Sequence, residues 1–234
     1  MKEEGSQEVQ EVPRDNRVKA VFYANLHCVC GSLYYSSVKF MQNNGMQVIY
    51  ISLVRYLYSA LIALIVLRLN SKTIFSGVNT PTLKRDLLAR AVVGTLAFNL
   101  LLVVAGMIPL SIMSLITMTG GFWSSLLGYI WFGDVLHKSE IAAMVVGYLG
   151  IALVITGGDQ ESEDQQMFVI GVILAFVTAV FLGITHFYNR KMKELHFAVI
   201  QINYAGFGLL TMVASVVIDI FRPTFEPLDY SSAQ

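Results

Sequence analysis

Val48 to Leu67 reads VIYISLVRYLYSALIALIVL, an apolar run with one charge, Arg55, and neither proline nor glycine. At 1.5 Å of rise per residue, a helix of this length is about 30 Å long, the thickness of a bilayer's hydrocarbon core. A stretch so apolar on every face has lipid as its solvent. The whole chain agrees: 55% of its residues are apolar and 14% charged, with a mean hydropathy of +0.61, outside the range of soluble domains. Outward from this helix, further runs of spanning length occupy Ala20 to Val38, Ala91 to Met107, Leu110 to Phe132, Ile141 to Gly158, Phe168 to Phe187 and Ala198 to Ile218. The pattern predicts an all-α polytopic membrane protein with about seven transmembrane helices. The first run is the weakest, being interrupted by Asn25, His27 and the Ser36-Ser37 pair. It lacks the clean apolar core and small-residue cleavage site of a signal peptide. Ile108-Pro109 divides the third and fourth runs, where proline cannot continue a helix and a tight turn must reverse the chain.

Basic residues set the expected orientation, because loops rich in lysine and arginine stay cytoplasmic during insertion. A cytoplasmic N-terminus puts Arg14, Arg17 and Lys19, the Arg68 to Arg90 loop, Lys138 and Arg190 to Lys193 on the inner side. Only Lys39 and Arg222 then fall outside, together with the acidic stretch Asp159 to Asp164. This orientation, and the lack of a lysine in the last helix, exclude seven-helix receptors and retinal proteins. Zero formal net charge, segregated in this way, says nothing of a nucleic-acid partner, and none is expected. The partners are the bilayer and a small-molecule solute.

Cys28 and Cys30 form neither a disulfide framework nor a metal site and read as buried small residues. There is no P-loop, H-E-x-x-H or G-x-S-x-G motif, and nothing arranges a nucleophile with a base. An enzyme is not expected, nor a catalytic residue, metal or cofactor. Small residues recur at every fourth position in two helices, as Gly171, Ala175, Ala179 and Gly183 and as Gly120, Ser124 and Gly128. Such seams let membrane helices approach closely.

Polar groups inside a span must face protein or water. Arg55 lies seven residues into its helix, about 10 Å below the boundary, where an arginine costs about 2.5 to 3.5 kcal/mol on insertion scales. The same depth estimate reaches Tyr34 and Tyr35 of the first helix and Thr117 and Thr119 of the fourth. A polar layer is therefore expected from Arg55, Tyr34, Tyr35, Thr117 and Thr119, with Asn99 toward the other half. These six are the candidate substrate-binding residues. A structural arginine bonded to neighbouring backbone carbonyls is the other reading of Arg55.

The stretch MQVIYISLVRYLYSALIALIVL, Met46 to Leu67, resembles the second helix of the drug/metabolite transporter superfamily, EamA type. Arg90 to Gly158 is similar over a longer region, with a glycine-bearing third helix, Ile108-Pro109 at the turn, a fourth helix ending in FGD, and a fifth carrying Gly147, Gly150 and Gly157. Within that superfamily the chain resembles solute carrier family 35, G subgroup. It departs from the pattern at Asp134, where glutamate is usual, and at Thr119-Gly120-Gly121, where a proline is frequent. The resemblance implies a ten-helix fold of two inverted five-helix repeats, of which this chain would be a truncated form, carrying solutes by alternating access. Residues 20–158 would form the first repeat and 168–221 the first two helices of a second. A cytoplasmic tail (1–19), an acidic non-cytoplasmic loop (159–167) and a C-terminal tail (222–234) complete the division. A chain of this extent is expected to be incomplete as a transporter, with a homodimer covering its open face. The alternative is a non-transporting membrane protein, either an assembly partner or an inactive truncated product.

Overall fold

The computed structural model describes residues 14–157 and 165–221, and every regular element among them is a helix. Helix α1 spans Arg14–Asn43, α2 Val48–Leu69, α3 Pro81–Met107, α4 Leu110–Met118, α5 Gly120–Phe132, α6 Lys138–Gly157, α7 Gln165–Lys191 and α8 Phe197–Phe221. The chain is thus a polytopic all-α membrane protein. Among the described residues, six spans are long and apolar enough to cross a bilayer: α2, α3, α4 with α5, α6, α7 and α8. Helix α1 is longer than any of them, at 30 residues, but its polar interruptions leave it outside that set. The acidic stretch Asp159 to Asp164 and the segments 1–13 and 222–234 lie outside the described residues.

Several boundaries differ from the sequence expectation, three of them in ways that bear on the fold; α1 also runs on to Asn43, and α7 spans Gln165–Lys191 where Phe168 to Phe187 was expected. Helix α1 begins at Arg14, inside the segment expected to be a tail. Helix α3 begins at Pro81, ten residues before Ala91: Thr80 caps it by accepting the Leu83 N–H, and Pro81 occupies its first turn, where no N–H is needed. The fourth span is not one helix but two, broken at Thr119. There the Thr119 hydroxyl donates to the Ile116 carbonyl at 2.7 Å, and the Thr119 N–H reaches the same oxygen at 3.0 Å. Back-bonding by a threonine just before Gly120-Gly121 tightens the turn and interrupts the helical ladder. The reversal at Ile108-Pro109 stands as expected, with both residues extended between α3 and α4.

The centre of the bundle is built by α2, α3, α7 and α8, with α4 and α5 packed on α7 and with α1 and α6 at the margins. The two small-residue seams meet each other: Gly120 of α5 lies against Ala179 and Gly183 of α7. Gly171, at the other end of the α7 seam, lies under Met107 and Ile108. Without side chains at these positions the backbones approach until carbonyls and peptide nitrogens touch across the interface, which supplies the packing that lipid cannot drive. Cys28 and Cys30 are exposed on α1, not buried as expected; among its described side chains α1 buries only the strip around Tyr34, Tyr35, Val38 and Gln42.

One end of the bundle gathers the start of α3 and the ends of α2, α5 and α7, together with most of the basic side chains. At this basic end, Lys191 pairs with the buried Asp86 at 2.8 Å, tying α7 to α3. Arg190 makes a two-pronged pair with Asp134, its Nη2 lying 2.9 Å from Oδ1, and ties α7 to the segment after α5. The Arg190–Asp134 pair depends on glycine. Gly133 ends α5 in the left-handed conformation, φ 68°, and a Cβ on Gly128 would come within 2.8 Å of the Asp134 carboxylate.

Candidate functional site

Helical spacing on three elements brings the site together. On α2, Ser52, Arg55, Tyr56 and Ser59 recur at three- and four-residue intervals and share one face. On α8 the matching face is Gln201, Tyr204 and Gly208. On α3 the stripe is Asp86, Arg90, Gly94 and Phe98, every fourth residue, running inward from the basic end.

Arg55 stands where α1, α2, α3 and α8 converge, each contributing one ring. Its guanidinium carbon lies 3.1 Å over the Phe98 ring centroid and 5.7, 5.7 and 5.9 Å from those of Tyr34, Tyr56 and Tyr204. Ring quadrupoles present negative faces to a cation, an attraction of about 2 kcal/mol when desolvated. Arg55 Nη1 also lies 3.0 Å from the Tyr204 hydroxyl. The rings brace one another, Tyr56 standing edge-on to Phe98 at 5.8 Å and to Tyr204 at 5.5 Å. Among the described residues Arg55 has no carboxylate partner. The cage tames the charge without neutralising it.

Asn99 closes the cage on the α3 side. Its Oδ1 accepts from the Ser52 hydroxyl at 3.4 Å and the Tyr56 hydroxyl at 3.5 Å, both long bonds. Across the α2–α8 face, the Gln201 side-chain amide donates to the Ser59 hydroxyl at 2.6 Å. Gly208 is the condition for this packing, because a Cβ there would run into the ring of Tyr56, which is fully buried. Gly208→Ala is expected to cost about 1 to 3 kcal/mol by overpacking and to lower solute uptake several-fold. Gly206→Ala on the same helix, with nothing near its Cβ position, should leave uptake as it is. Uptake and melting temperature of the two variants, compared with the unmodified chain, check this.

The structure thus brings Arg55, Tyr34 and Asn99 of the expected set together. Tyr35 stands edge-on to Tyr34 at 5.3 Å but packs into the apolar cluster of α3, α4 and α7. Thr117 and Thr119 turn their hydroxyls to the carbonyls of Ser114 and Ile116 in their own helix. Tyr56, Phe98 and Tyr204 were not singled out from the sequence, since aromatic residues in apolar helices carry no mark of the face they occupy. In the sequence Arg90 reads as the end of a loop. The four-residue stripe from Asp86 to Phe98, behind the Thr80-Pro81 cap, is the signal that would have placed it.

The EamA-like transporter family matches residues 18–156, more than half of the chain. No curated protein and no solved structure matches it significantly.

Proposed function

Because this chain belongs to the EamA-like transporter family, a family of membrane transporters for small solutes, we propose that it moves a small organic anion across the membrane by alternating access, with Arg55 as the residue that meets the solute. The observation that carries this reading is the unneutralised guanidinium, half-buried inside a span and held by four rings and one hydroxyl. An arginine retained only for packing would be cheaper as a neutral residue. A planar cation with free N–H groups fits a carboxylate or phosphate.

The reading takes the basic end as cytoplasmic. The Lys191–Asp86 and Arg190–Asp134 pairs would then close the cytoplasmic side and part when it opens. It also takes residues 20–158 as a first five-helix repeat and α7 and α8 as the start of an inverted second one, so that α2 and α8 are equivalent helices. Their extensive mutual packing is what a two-fold relation between them would produce.

Two measurements test the proposal. Proteoliposomes holding the chain should take up labelled mono- or dicarboxylates, or organic phosphates, above empty vesicles; uptake confined to cations or neutral solutes overturns the anion reading. For the orientation, Cys28 and Cys30 are replaced and single cysteines placed at Ser71 and Ser162. In sealed vesicles the two should label from opposite sides, Ser71→Cys from the cytoplasmic one; labelling of both from one side defeats the assignment.

A further inference from the structure

The stripe on α3 continues past the cage to a second buried arginine. We infer that Arg90 is a second anion-binding residue, and that the solute carries two oxyanionic groups, one held by Arg55 and one by Arg90, both beside Tyr204. The inference deepens the proposal above and rests on it.

Tyr204 links the two cations. The guanidinium carbon of Arg90 lies 4.7 Å from the Tyr204 ring centroid, and that of Arg55 lies 5.9 Å from it. The two charges are therefore no farther apart than the sum of those distances. Phe98, beneath Arg55, and Arg90 are eight residues apart on α3, about 12 Å of helix axis, so Arg90 lies on the basic-end side of the cage. Gly94, between them, makes the approach feasible: a Cβ there would sit 3.0 Å from Arg90 Nη1 and 3.2 Å from the Tyr204 ring.

Arg90 is only 8% exposed. Its Nε donates to the Asn189 side-chain carbonyl at 2.9 Å, while its Nη1 is buried and has no acceptor. A buried donor left unsatisfied costs about 1 to 3 kcal/mol, more for a charged group. The nearest acid on the same face, Asp86, is committed to Lys191 at 2.8 Å, and Arg90 makes no ion pair among the described residues. Two like charges on one ring, both without a carboxylate, repel each other and gain most from a ligand that brings two negative groups. A monoanion could answer only one of them. The Lys191–Asp86 pair lies four residues from Arg90 along α3, so opening of the basic end would uncover Arg90 first.

The test uses the purified 234-residue chain in detergent, its melting temperature read by intrinsic fluorescence against increasing butyrate and against dicarboxylates of three to six carbons. For the unmodified chain the best dicarboxylate should reach half-maximal stabilisation at a concentration about tenfold below that of butyrate. Arg90→Gln should erase this preference while butyrate still stabilises; Arg55→Gln should weaken both. If Arg90→Gln does not fold, Arg90→Lys carries the test: the lost fork should lower the preference about threefold, and an unchanged preference overturns the inference. A purely structural Arg90 would lower the melting temperature without ligand and leave the dicarboxylate preference intact, which also overturns it. Equal response of the unmodified chain to butyrate and dicarboxylates defeats the two-site inference alone. No response to any carboxylate defeats the anion reading with it.

Discussion

Arg55→Gln is expected to lower uptake of an anionic solute by well over tenfold while leaving the chain folded. Glutamine removes the charge and the fork but keeps a polar tip, two bonds short of the Arg55 Nη1 that lies 3.0 Å from the Tyr204 hydroxyl. Taking away one side of a desolvated, hydrogen-bonded charge contact costs about 2 to 3 kcal/mol, or about 30- to 150-fold in apparent affinity. The fold should survive, since an arginine in a span is itself a burden of about 2.5 to 3.5 kcal/mol. Arg55→Lys separates charge from shape: an ammonium has no planar face to lay over Phe98, whose centroid is 3.1 Å from the guanidinium carbon, nor can it offer a planar pair of donors. About a tenfold loss is expected, between the unmodified chain and Arg55→Gln. Uptake into proteoliposomes, with melting temperature as the folding control, decides the matter. If Arg55→Gln transports as well as the unmodified chain, the cage is a packing motif.

The helices were legible because lipid imposes one simple demand, about twenty apolar residues in a row. That demand is met by composition alone, and the turn at Pro109 is punctuated by the one residue that cannot sit inside a helix. The start of α3 was misplaced for the same reason. Asp86 and Arg90 ended the apolar window, so the segment read as loop, whereas the helix extends to Pro81 and buries both charges. An apolar window finds the part of a helix that lies at hydrocarbon depth and not the charged turns that continue it beyond.

The site was legible in its centre and not in its rim. Arg55 announces itself by cost, since no lipid-facing position tolerates it cheaply. Depth estimates then offered Tyr34, Tyr35, Thr117 and Thr119 as neighbours, but depth is one coordinate of three. The rotation of each helix settles the rest: Tyr34 turns toward α2 and α8, and Tyr35 toward α3, α4 and α7. The threonines are spent on their own backbone at the break in the fourth span. Tyr204, 149 positions beyond Arg55 in sequence, carries no local signal. It joins the site only because Gly208 lets α8 close on Tyr56.

Gly183→Leu is expected to destabilise the bundle strongly. The every-fourth-residue seam on α7 was read from sequence as a helix contact, and the structure shows what it contacts. At Gly183 a Cβ would lie 2.9 Å from the Gly120 carbonyl oxygen and 3.1 Å from the Ser124 nitrogen, besides meeting the Cβ of Trp123. Two of those three atoms are backbone, so no rotamer change can make room. Helix α5 would have to lift off α7 along the line that also carries the Arg190–Asp134 pair. Inserting methylenes into a packed core costs about 1 to 3 kcal/mol when side chains can adjust; with backbone in the way the upper end or beyond is expected. For a chain of this size about 3 kcal/mol corresponds to about 6 to 12 °C in Tm, and folded yield should fall with it. Gly150→Leu on α6 is the matched control, because nothing lies within 4 Å of its Cβ position and an added leucine there would face lipid. A Gly183→Leu chain that melts with the Gly150→Leu control would mean that α5 and α7 do not pack through this seam.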